Sequence, residues 1–359
     1  MDPGKLEIRV RCAAGRIAAL TVASSRPEAA RVLHGRSAAQ AVTMVPQLFA
    51  LCGRAQGVAA MAARAAIEEE AFAARHDAGV AAEAAQEHLW RLLCAWPREL
   101  DLAPQDADFG RWRRILAADP SALVGPDLRD FLAQRLLGMA PGAWLELSRA
   151  EEFEAWCRNS PAPAAQLCRT LEGNGDSWNE PRPVVHLPAL DATMVADDWP
   201  VLSAAFALRP QWRGRPSETG AYARRHEDPL LAALATRPLL ARLVARLQEL
   251  AALTRGDFAL PLPGAVMAFP LDKGRGRALV ETARGLLMHE LTLLDGRVAD
   301  YVIVAPTEWN FHPDGALPAL LAGRACASEP QAATLVRRTV LALDPCVAHE
   351  INIDWQAPP

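Results

Sequence analysis

The sequence predicts an α+β protein that is mostly helical, with small antiparallel β sections near the N-terminus and around residues 278–306. Two patterns support this fold class. Long stretches rich in alanine and leucine place apolar residues at helical spacing, whereas the β sections alternate apolar and polar residues around short turns. With 359 residues, of which 51% are hydrophobic, the chain is long enough to bury a large core.

The first half of the chain begins with a hairpin and continues in helices. Residues 5–24 alternate around an Ala-Gly turn, which predicts two antiparallel strands. Between residues 38 and 96, interruptions at Pro46 and near Gly79 predict two or three helices. The second of these has alanine on nearly every face, which suits a central buried helix. Further helices are predicted at residues 108–118, 126–138, 149–158 and 161–172.

The second half combines an irregular stretch, helices and a β section. Residues 173–199 are predicted to be irregular, and the amphipathic segment 228–253 is either two helices split at Pro238 or one kinked helix. Residues 277–306 predict one strand, an Asp-Gly turn and a returning strand. A final helix is predicted at about residues 316–340.

Charge and composition exclude several classes of function. The 38 basic and 42 acidic residues give a net charge of −4, so we expect no nucleic-acid partner. The first residues lack the pattern of a secretory signal, and the longest uncharged run, residues 37–53, is shorter than a membrane span. We therefore expect no membrane span and a cytoplasmic location. Without internal repeats or linker-like segments, residues 1–359 are predicted to form a single domain.

The cysteines provide the most informative pattern. Seven are present without any CxxC pair, which argues against a disulfide framework and against common zinc and iron–sulfur sites. Cys52 opens the alanine-rich helix within LCGRAQG, and Cys346 stands within DPCVAH. Taken singly, each cysteine fits better as a small buried hydrophobe. Together with His349, which is spaced Cys-x-x-His from Cys346, they form a candidate metal-ligand set.

Catalytic signatures are absent. The sequence contains no GxSxG, HExxH or phosphate-binding loop motif, and no combination of nucleophile and base is evident. We therefore expect that the protein is not an enzyme.

Several segments together resemble a known family. From end to end, the chain is similar to the large subunit of nickel–iron hydrogenases, and more closely to the shortened HupK and HoxV relatives that assist hydrogenase assembly. The matching segments follow in the family's order: KLEIRVRCAAGRIAALTVAS, HGRSAAQAVTMVPQLFALCGRAQGVAA, EHLWRLLCAWP, ETGAYAR, ETARGLLMHEL, VIVAPTEWNFHPDG and DPCVAHE. The resemblance implies a degenerate, shortened hydrogenase large-subunit-like core.

The resemblance also implies an incomplete metal site. Hydrogenases hold nickel and iron between two pairs of cysteines. Cys52 and Cys346 match the first cysteine of each pair, whereas Ala55 and His349 stand in the places of the second cysteines. Because the bridging thiolates are missing, we expect neither hydrogen activation nor nickel binding.

The expected pocket for an iron fragment is better preserved. Arg284 matches an arginine that bonds a cyanide ligand in the family, and Pro306 and Thr307 match the second wall of that pocket. The resemblance therefore implies a scaffold that transiently holds the Fe(CN)2(CO) fragment. Its implied partners are a HypC-type chaperone, a HypD-type assembly factor and the hydrogenase large-subunit precursor.

The two cysteines would hold the iron as thiolates, with His349 as a candidate third ligand. Positive charge from Arg54 and Arg284 would favour the thiolates if the fold brings these residues close. Two alternatives stay open. The protein is a metal-free chaperone in which the cysteines are relics, or it is an enzyme of unrelated chemistry.

Overall fold

The computed structural model describes residues 4–26, 29–49, 51–68, 75–173, 183–199, 201–256, 262–272 and 274–356. The strands are β1 (Lys5–Ala13), β2 (Arg16–Ser24), β3 (Arg75–His76), β4 (Ala265–Asp272), β5 (Arg275–Thr282), β6 (Gly285–Leu294), β7 (Arg297–Val304) and β8 (Ala348–Trp355). The helices of the first half are α1 (Ala38–Met44), α2 (Gly53–Ile67), α3 (Ala78–Trp90), α4 (Trp96–Glu99), α5 (Asp106–Ala118), α6 (Pro126–Phe131), α7 (Pro141–Leu145), α8 (Ala150–Asn159) and α9 (Pro163–Gly173). Those of the second half are α10 (Ala192–Asp198), α11 (Ala204–Leu208), α12 (Ala221–Arg225), α13 (Pro229–Ala233), α14 (Pro238–Leu253), α15 (Pro306–Asn310), α16 (Ala316–Leu321) and α17 (Glu329–Leu343).

The predicted α+β class is confirmed. The hairpin β1–β2 and the helices predicted in the first half are present, with π-helical turns at Arg91–Ala95 and Leu132–Leu137. The amphipathic segment forms two helices, α13 and α14, as the first of the two alternatives proposed. Of the stretch predicted to be irregular, residues 174–182 lie outside the described part of the chain, and the rest contains the short helix α10.

The alanine-rich helix α2 packs against the larger sheet, which has the order β3-β4-β5-β6-β7 and is antiparallel throughout. Ala59 and Ala63 of α2 are fully buried. A Cβ atom added at Gly276 of β5 would lie 2.2 Å from the carbonyl oxygen of Ala63. Small residues on both elements therefore permit this close approach, and the predicted central position of the helix is confirmed.

The β section near residues 278–306 contains one more reversal than predicted. The Asp-Gly turn joins β6 to β7, but the segment predicted as one long strand is divided into β5 and β6 by a turn at Ala283 and Arg284. The Thr282 hydroxyl accepts a hydrogen bond from the Arg284 amide at 3.2 Å and donates one to the Gly285 carbonyl at 2.8 Å. Gly285 has a φ of +124°, which favours glycine. Because the residues on both sides of this turn are buried, apolar patterning does not reveal it.

The C-terminal region also differs from its prediction. The single helix predicted at residues 316–340 is two helices, α16 and α17, because Gly323 adopts a φ of +81° and Ser328 caps a new helix by accepting a hydrogen bond from the Gln331 amide. The unpredicted strand β8 pairs in parallel with β1 in the smaller sheet, whose order is β2-β1-β8. The N-terminal hairpin is therefore joined to the chain segment that directly follows Cys346.

The helical core surrounds α14. Every residue of this helix except Ala252 is buried, including Arg242, Arg246 and Glu249. These charges have partners: Arg242 pairs with Glu218, and both Oε atoms of Glu249 accept hydrogen bonds from Arg224. None of the helices in the described ranges is long and apolar enough to cross a membrane.

Candidate two-cysteine site

The fold brings Cys52 and Cys346 to a common cavity. Cys52 is the residue immediately before α2, and Cys346 lies in the turn between α17 and β8. Both line a cavity of about 20 Å³, which is also lined by Arg284 and Pro306. Two cysteines that are distant in the sequence therefore face one small space together with two residues predicted for the pocket.

Asp344 anchors the turn that carries Cys346. It ends α17 in a left-handed conformation, with φ 58° and ψ 73°. Its buried carboxylate pairs with Arg91, with Arg246 at 3.2 Å and with Arg284 at 3.2 Å. Burial alone would raise the pKa of Asp344, but the three guanidinium groups outweigh burial and hold the pKa well below its usual range. The charged Asp344 thus fixes the turn between these arginines.

Thr307 holds Cys346 through a reciprocal contact. The Thr307 hydroxyl donates to the Cys346 sulfur at 3.0 Å and accepts from the Cys346 backbone N–H at 3.0 Å. Thr307 is 1% exposed in the first turn of α15, directly after the buried Pro306. A hydroxyl donor at this distance stabilises negative charge on the sulfur.

Cys52 is held as a neutral thiol in the absence of a cation. Burial, the neighbouring Cys346 and Glu83 raise the pKa of its thiol to about 12. Gln56, one helical turn further along α2, donates from Nε2 to the Cys52 sulfur at 3.6 Å and lowers this pKa. A bound metal ion favours the thiolate, so that metal binding at Cys52 would release a proton.

Arg284 extends from its turn and lies between two carboxylates, those of Asp344 and Glu87. Besides Asp344, it donates from Nη2 to Glu87 at 2.6 Å. Burial opposes its charge, yet Asp344 and Glu87 raise the pKa of Arg284 further above its usual value. Arg284 therefore stays charged beside the two thiols.

A second positive charge near the thiols comes from Arg26, which the sequence analysis missed. Its side chain is 14% exposed and donates to Glu308 at 3.1 Å. Although burial lowers the pKa of Arg26, the charges of Cys346, Glu308 and Cys52 together raise it. Arg54, which was expected in this role, has a side chain that is 55% exposed and lies 3.4 Å from Asp77. Arg26 follows β2 in a segment without periodicity, so no sequence pattern distinguishes it.

Two acidic residues of α3 complete the cavity wall. Glu83 and Glu87 are one helical turn apart and both line the cavity. The Glu83 carboxylate accepts hydrogen bonds from the backbone N–H groups of Arg54 at 2.9 Å and Ala55 at 3.1 Å, at the start of α2. Burial raises its pKa to about 7 in spite of these two donors. In the sequence, Glu83 and Glu87 are recognisable only as two carboxylates in an otherwise alanine-rich helix. General patterning assigns such a pair to a solvent-exposed face.

His349 lies apart from this arrangement. It is exposed on β8, opposite Leu6 of β1, and is not among the residues that line the cavity. Within the described ranges, no group of three or more His, Cys, Asp or Glu side chains is arranged to hold a metal ion. The structure thus brings two thiols to one cavity, and the ligand roles of Cys52, Cys346 and His349 stay predictions.

The fold defines the chain as a hydrogenase large-subunit-like protein. Residues 233–351 match the family model of nickel-dependent hydrogenases. A NiFeSe hydrogenase variant from Desulfovibrio vulgaris Hildenborough superposes with a TM-score of 0.57 and 15% identity, covering 96% of this chain and 99% of that chain. The NiFeSe hydrogenase of Dm. baculatum gives a TM-score of 0.55 and 14% identity over 93% and 94%. At these identities the likeness concerns the fold alone.

Relatives of higher identity specify the family. The hydrogenase expression/formation protein HoxV of Cupriavidus necator is 34% identical over 92% of both chains. The proteins of the same description named HupK are 34% identical in Azotobacter vinelandii, over 98% of both chains, and 33% identical in Rhizobium leguminosarum, over 98% of this chain and 97% of that one. The chain belongs to this HupK/HoxV family of hydrogenase expression/formation proteins.

Proposed function

We propose that the protein acts in hydrogenase maturation as an accessory scaffold, which transiently holds the Fe(CN)2(CO) fragment before its transfer to the hydrogenase large subunit. One observation carries this proposal: Cys52 and Cys346 line a single cavity with Arg284. The names of the relatives support the broader role in maturation.

The chemistry of the cavity suits this cargo. Low-spin iron with cyanide and carbonyl ligands is soft, and thiolates are soft ligands. The hydrogen bonds of Arg284 to Asp344 and Glu87 use two of its five N–H groups, and a cyanide nitrogen accepts hydrogen bonds from such charged donors. This cavity offers two thiols where a hydrogenase has four cysteines for its two metals, and a site that passes its cargo on must release it.

Loading of the cargo requires the cavity to open. A volume of about 20 Å³ corresponds to roughly one water molecule, which is smaller than the fragment. Leu51 lines the cavity and is 43% exposed, so the cavity is separated from solvent at this point by a surface side chain. We propose that movement of the Leu51 side chain opens the cavity to the fragment.

The partners and location follow from this role. We propose a HypC-type chaperone and a HypD-type assembly factor as donors and the large-subunit precursor as acceptor. The scaffold needs no catalytic residue of its own, and nickel has no part in it. Because both thiols must stay reduced, we propose a cytoplasmic location.

Infrared spectroscopy tests the proposal directly. The full chain is purified without oxygen from cells that contain the hydrogenase assembly machinery. We expect cyanide and carbonyl stretching bands, and we expect their loss in the Cys52→Ala, Cys346→Ala double variant. The matched control is Cys157→Ala, Cys168→Ala, which removes two buried thiols of the helical core and should keep the bands. Absence of bands in the unaltered protein, or bands that persist in the site variant, would refute the scaffold role.

A metal-free chaperone is the second candidate, and the small volume of the cavity favours it. In this role the hydrogenase-like surface would bind assembly factors or the immature large subunit, and both cysteines would be dispensable. The two candidates therefore differ in the effect of the Cys52→Ala, Cys346→Ala double variant on maturation in cells.

A further inference from the structure

A chain of buried hydrogen bonds leads from Cys52 into the larger sheet. Gln56 of α2 donates from Nε2 to the Cys52 sulfur at 3.6 Å, and its other amide atom, Oε1, lies 2.8 Å from His289 Nε2. His289, on β6, places its second ring nitrogen, Nδ1, 2.9 Å from the hydroxyl of Tyr301 on β7. Three separate elements thus supply one continuous polar connection that ends at a proposed iron ligand.

The three side chains are almost completely shielded from solvent. Gln56 is 1% exposed, His289 0% and Tyr301 4%. Burial lowers the pKa of His289 to about 3, so that its ring is neutral near neutral pH, and burial keeps the Tyr301 hydroxyl protonated by raising its pKa. A buried amide, imidazole and hydroxyl in an alanine- and valine-rich surrounding are costly unless each is satisfied by the next.

The chemistry of the three groups gives the chain a direction. An amide oxygen only accepts, so His289 Nε2 must carry the ring proton and donate it to Gln56 Oε1. In a neutral ring Nδ1 is then an acceptor, and the Tyr301 hydroxyl donates to it. With its oxygen held by His289, the Gln56 amide directs its N–H group to the sulfur of Cys52. All donors in the chain therefore point toward the thiol.

We propose that His289 and Tyr301 fix the Gln56 amide in this orientation, so that Gln56 is a positioning residue that stabilises the iron-bound thiolate of Cys52. The inference rests on the proposed iron-holding function and assigns an outer support to one of its two ligands. Thr307 provides the matching donor to Cys346. Each sulfur thus receives a hydrogen bond from a buried polar side chain.

The opposite direction of the chain defines the alternative that a test must exclude. If the Gln56 amide is rotated by 180°, the Cys52 thiol donates to Gln56 Oε1 and Gln56 Nε2 donates to His289 Nε2. The ring proton of His289 then lies on Nδ1, which donates to the Tyr301 oxygen. The position of the ring proton therefore reports the direction of the whole chain.

The first measurement is nitrogen NMR of the full chain with ¹⁵N-labelled histidine. The His289 resonances are identified by their loss in His289→Gln, and we expect the neutral tautomer with the proton on Nε2. A proton on Nδ1 would overturn the proposal. This measurement needs no bound iron, so its outcome is independent of whether the protein carries the cargo.

The second measurement is the carbonyl stretching band of the iron-loaded protein. A hydrogen bond withdraws electron density from the thiolate, so its loss increases back-donation from iron into carbon monoxide. We expect the band to move to lower wavenumber in Gln56→Leu, and to move less far in the same direction in Tyr301→Phe, which keeps the ring. The control Tyr222→Phe alters the only other tyrosine of the chain, which lies in the helical core, and should leave the band in place.

The outcomes separate the two proposals. Bands that are present but identical in Gln56→Leu, Tyr301→Phe and the unaltered protein would refute the positioning role and leave the scaffold function standing. Absence of bands in the unaltered protein would refute the scaffold function, while the tautomer of His289 would still decide the direction of the chain. Because Tyr301→Phe removes a single hydroxyl, it keeps the test available if Gln56→Leu does not fold.

Discussion

The reciprocal contact between Thr307 and Cys346 joins folding and ligand chemistry in one hydroxyl group. The same oxygen accepts the Cys346 backbone N–H and donates to its sulfur. A substitution at Thr307 therefore has two measurable consequences, one for the stability of the fold and one for the cargo.

We expect Thr307→Val to lower the free energy of unfolding by about 1–3 kcal/mol, because the similar shape is kept while the backbone N–H of the half-buried Cys346 loses its partner. Urea denaturation measures this change. In the iron-loaded protein the carbonyl band should move to lower wavenumber, since a donor to the thiolate is lost. Thr307→Ser keeps the hydroxyl and serves as the control. Equal stability of Thr307→Val and the unaltered protein would contradict the importance of this contact.

His289 should make stability depend on pH in a defined direction. Its pKa in the folded protein is about 3, and the ordinary histidine value is 6.5. Between these values the unfolded chain binds a proton that the folded protein does not, so acidification favours unfolding by about 1.4 kcal/mol for each pH unit. The contribution is fully present above the ordinary value and is lost as the pH falls toward 3.

A variant without the titrating ring isolates this effect. The unaltered protein should lose stability relative to His289→Gln as the pH is lowered from 7 toward the folded pKa of about 3, as measured by urea denaturation at each pH. His186, whose pKa burial lowers to about 4, is present in both proteins and cancels in the comparison. A difference in stability that is independent of pH would show that the ring is not shielded as the structure indicates.

At the level of single residues, the sequence identifies site residues that belong to a recognisable motif. It does not identify residues that matter only because the fold places them near the site. Cys52, Cys346 and Arg284 stand in recognisable segments, and the fold brings them to one cavity. Gln56 and Arg26 stand in no such pattern. Their relevance depends on the distance to a sulfur, which the packing of α2 and the course of the chain after β2 determine.

At the level of elements, helix α2 and strand β5 show how small residues position the site. Cys52 directly precedes α2, so any displacement of this helix from the sheet moves one of the two thiols. Gly276 of β5 lies against the backbone of Ala63 in α2, and there is no space between them for a side chain on Gly276. The Ala-rich composition of α2 predicts a buried helix, but it does not identify the strand on which the helix lies.

We expect Gly276→Ala to destabilise the protein by about 1–3 kcal/mol, because the added methyl group would lie 2.2 Å from a backbone oxygen and forces the helix away from the sheet. In the iron-loaded protein we expect a less intense carbonyl band, because less of the iron fragment stays bound. Gly110→Ala is the matched control: apart from its chain neighbours and the backbone of its own helix, no described atom lies within 4 Å of the added Cβ, and in the interior of α5 alanine should stabilise by up to about 1 kcal/mol. Thermal denaturation of the two variants should shift in opposite directions, and equal shifts would contradict this account.

The turn at Ala283 and Arg284 shows why strand boundaries are harder to predict than strands. β5 and β6 are buried over most of their length, so periodicity does not change at the reversal. What determines the turn is a contact with a distant segment: a Cβ atom at Gly285 would lie 2.3 Å from Thr219, and the Thr219 hydroxyl accepts a hydrogen bond from the Leu286 amide at 3.0 Å. The segments ETGAYAR and ETARGLL are recognisable separately, but only the fold shows that they touch.

At the level of the whole molecule, the two ends of the chain meet beside the site. β8 follows the Cys346 turn and pairs with β1 over its full length, while Arg26, just after β2 of the same hairpin, donates to Glu308 of α15. The start of α2, the turn between β5 and β6 and the C-terminal turn therefore have to assemble before the cavity exists. A site assembled from distant parts of the chain, with two thiols where hydrogenases have four, is what the proposed scaffold role requires.

The two candidate functions, a scaffold for iron and a metal-free chaperone, can be distinguished by an experiment in cells. Hydrogenase activity is measured in a strain that lacks this protein and is then supplied with one of three forms: the unaltered chain, the Cys52→Ala, Cys346→Ala double variant, or the Cys157→Ala, Cys168→Ala control. If the protein is a scaffold for iron, the site variant should fail to restore activity although it accumulates as a folded protein, because the surface that binds partners is intact and only the two sulfurs are missing. The control should restore activity as well as the unaltered chain does. Full restoration by the site variant, together with loss of activity when the protein is absent, would assign the function to the surface of the fold and make Cys52 and Cys346 relics.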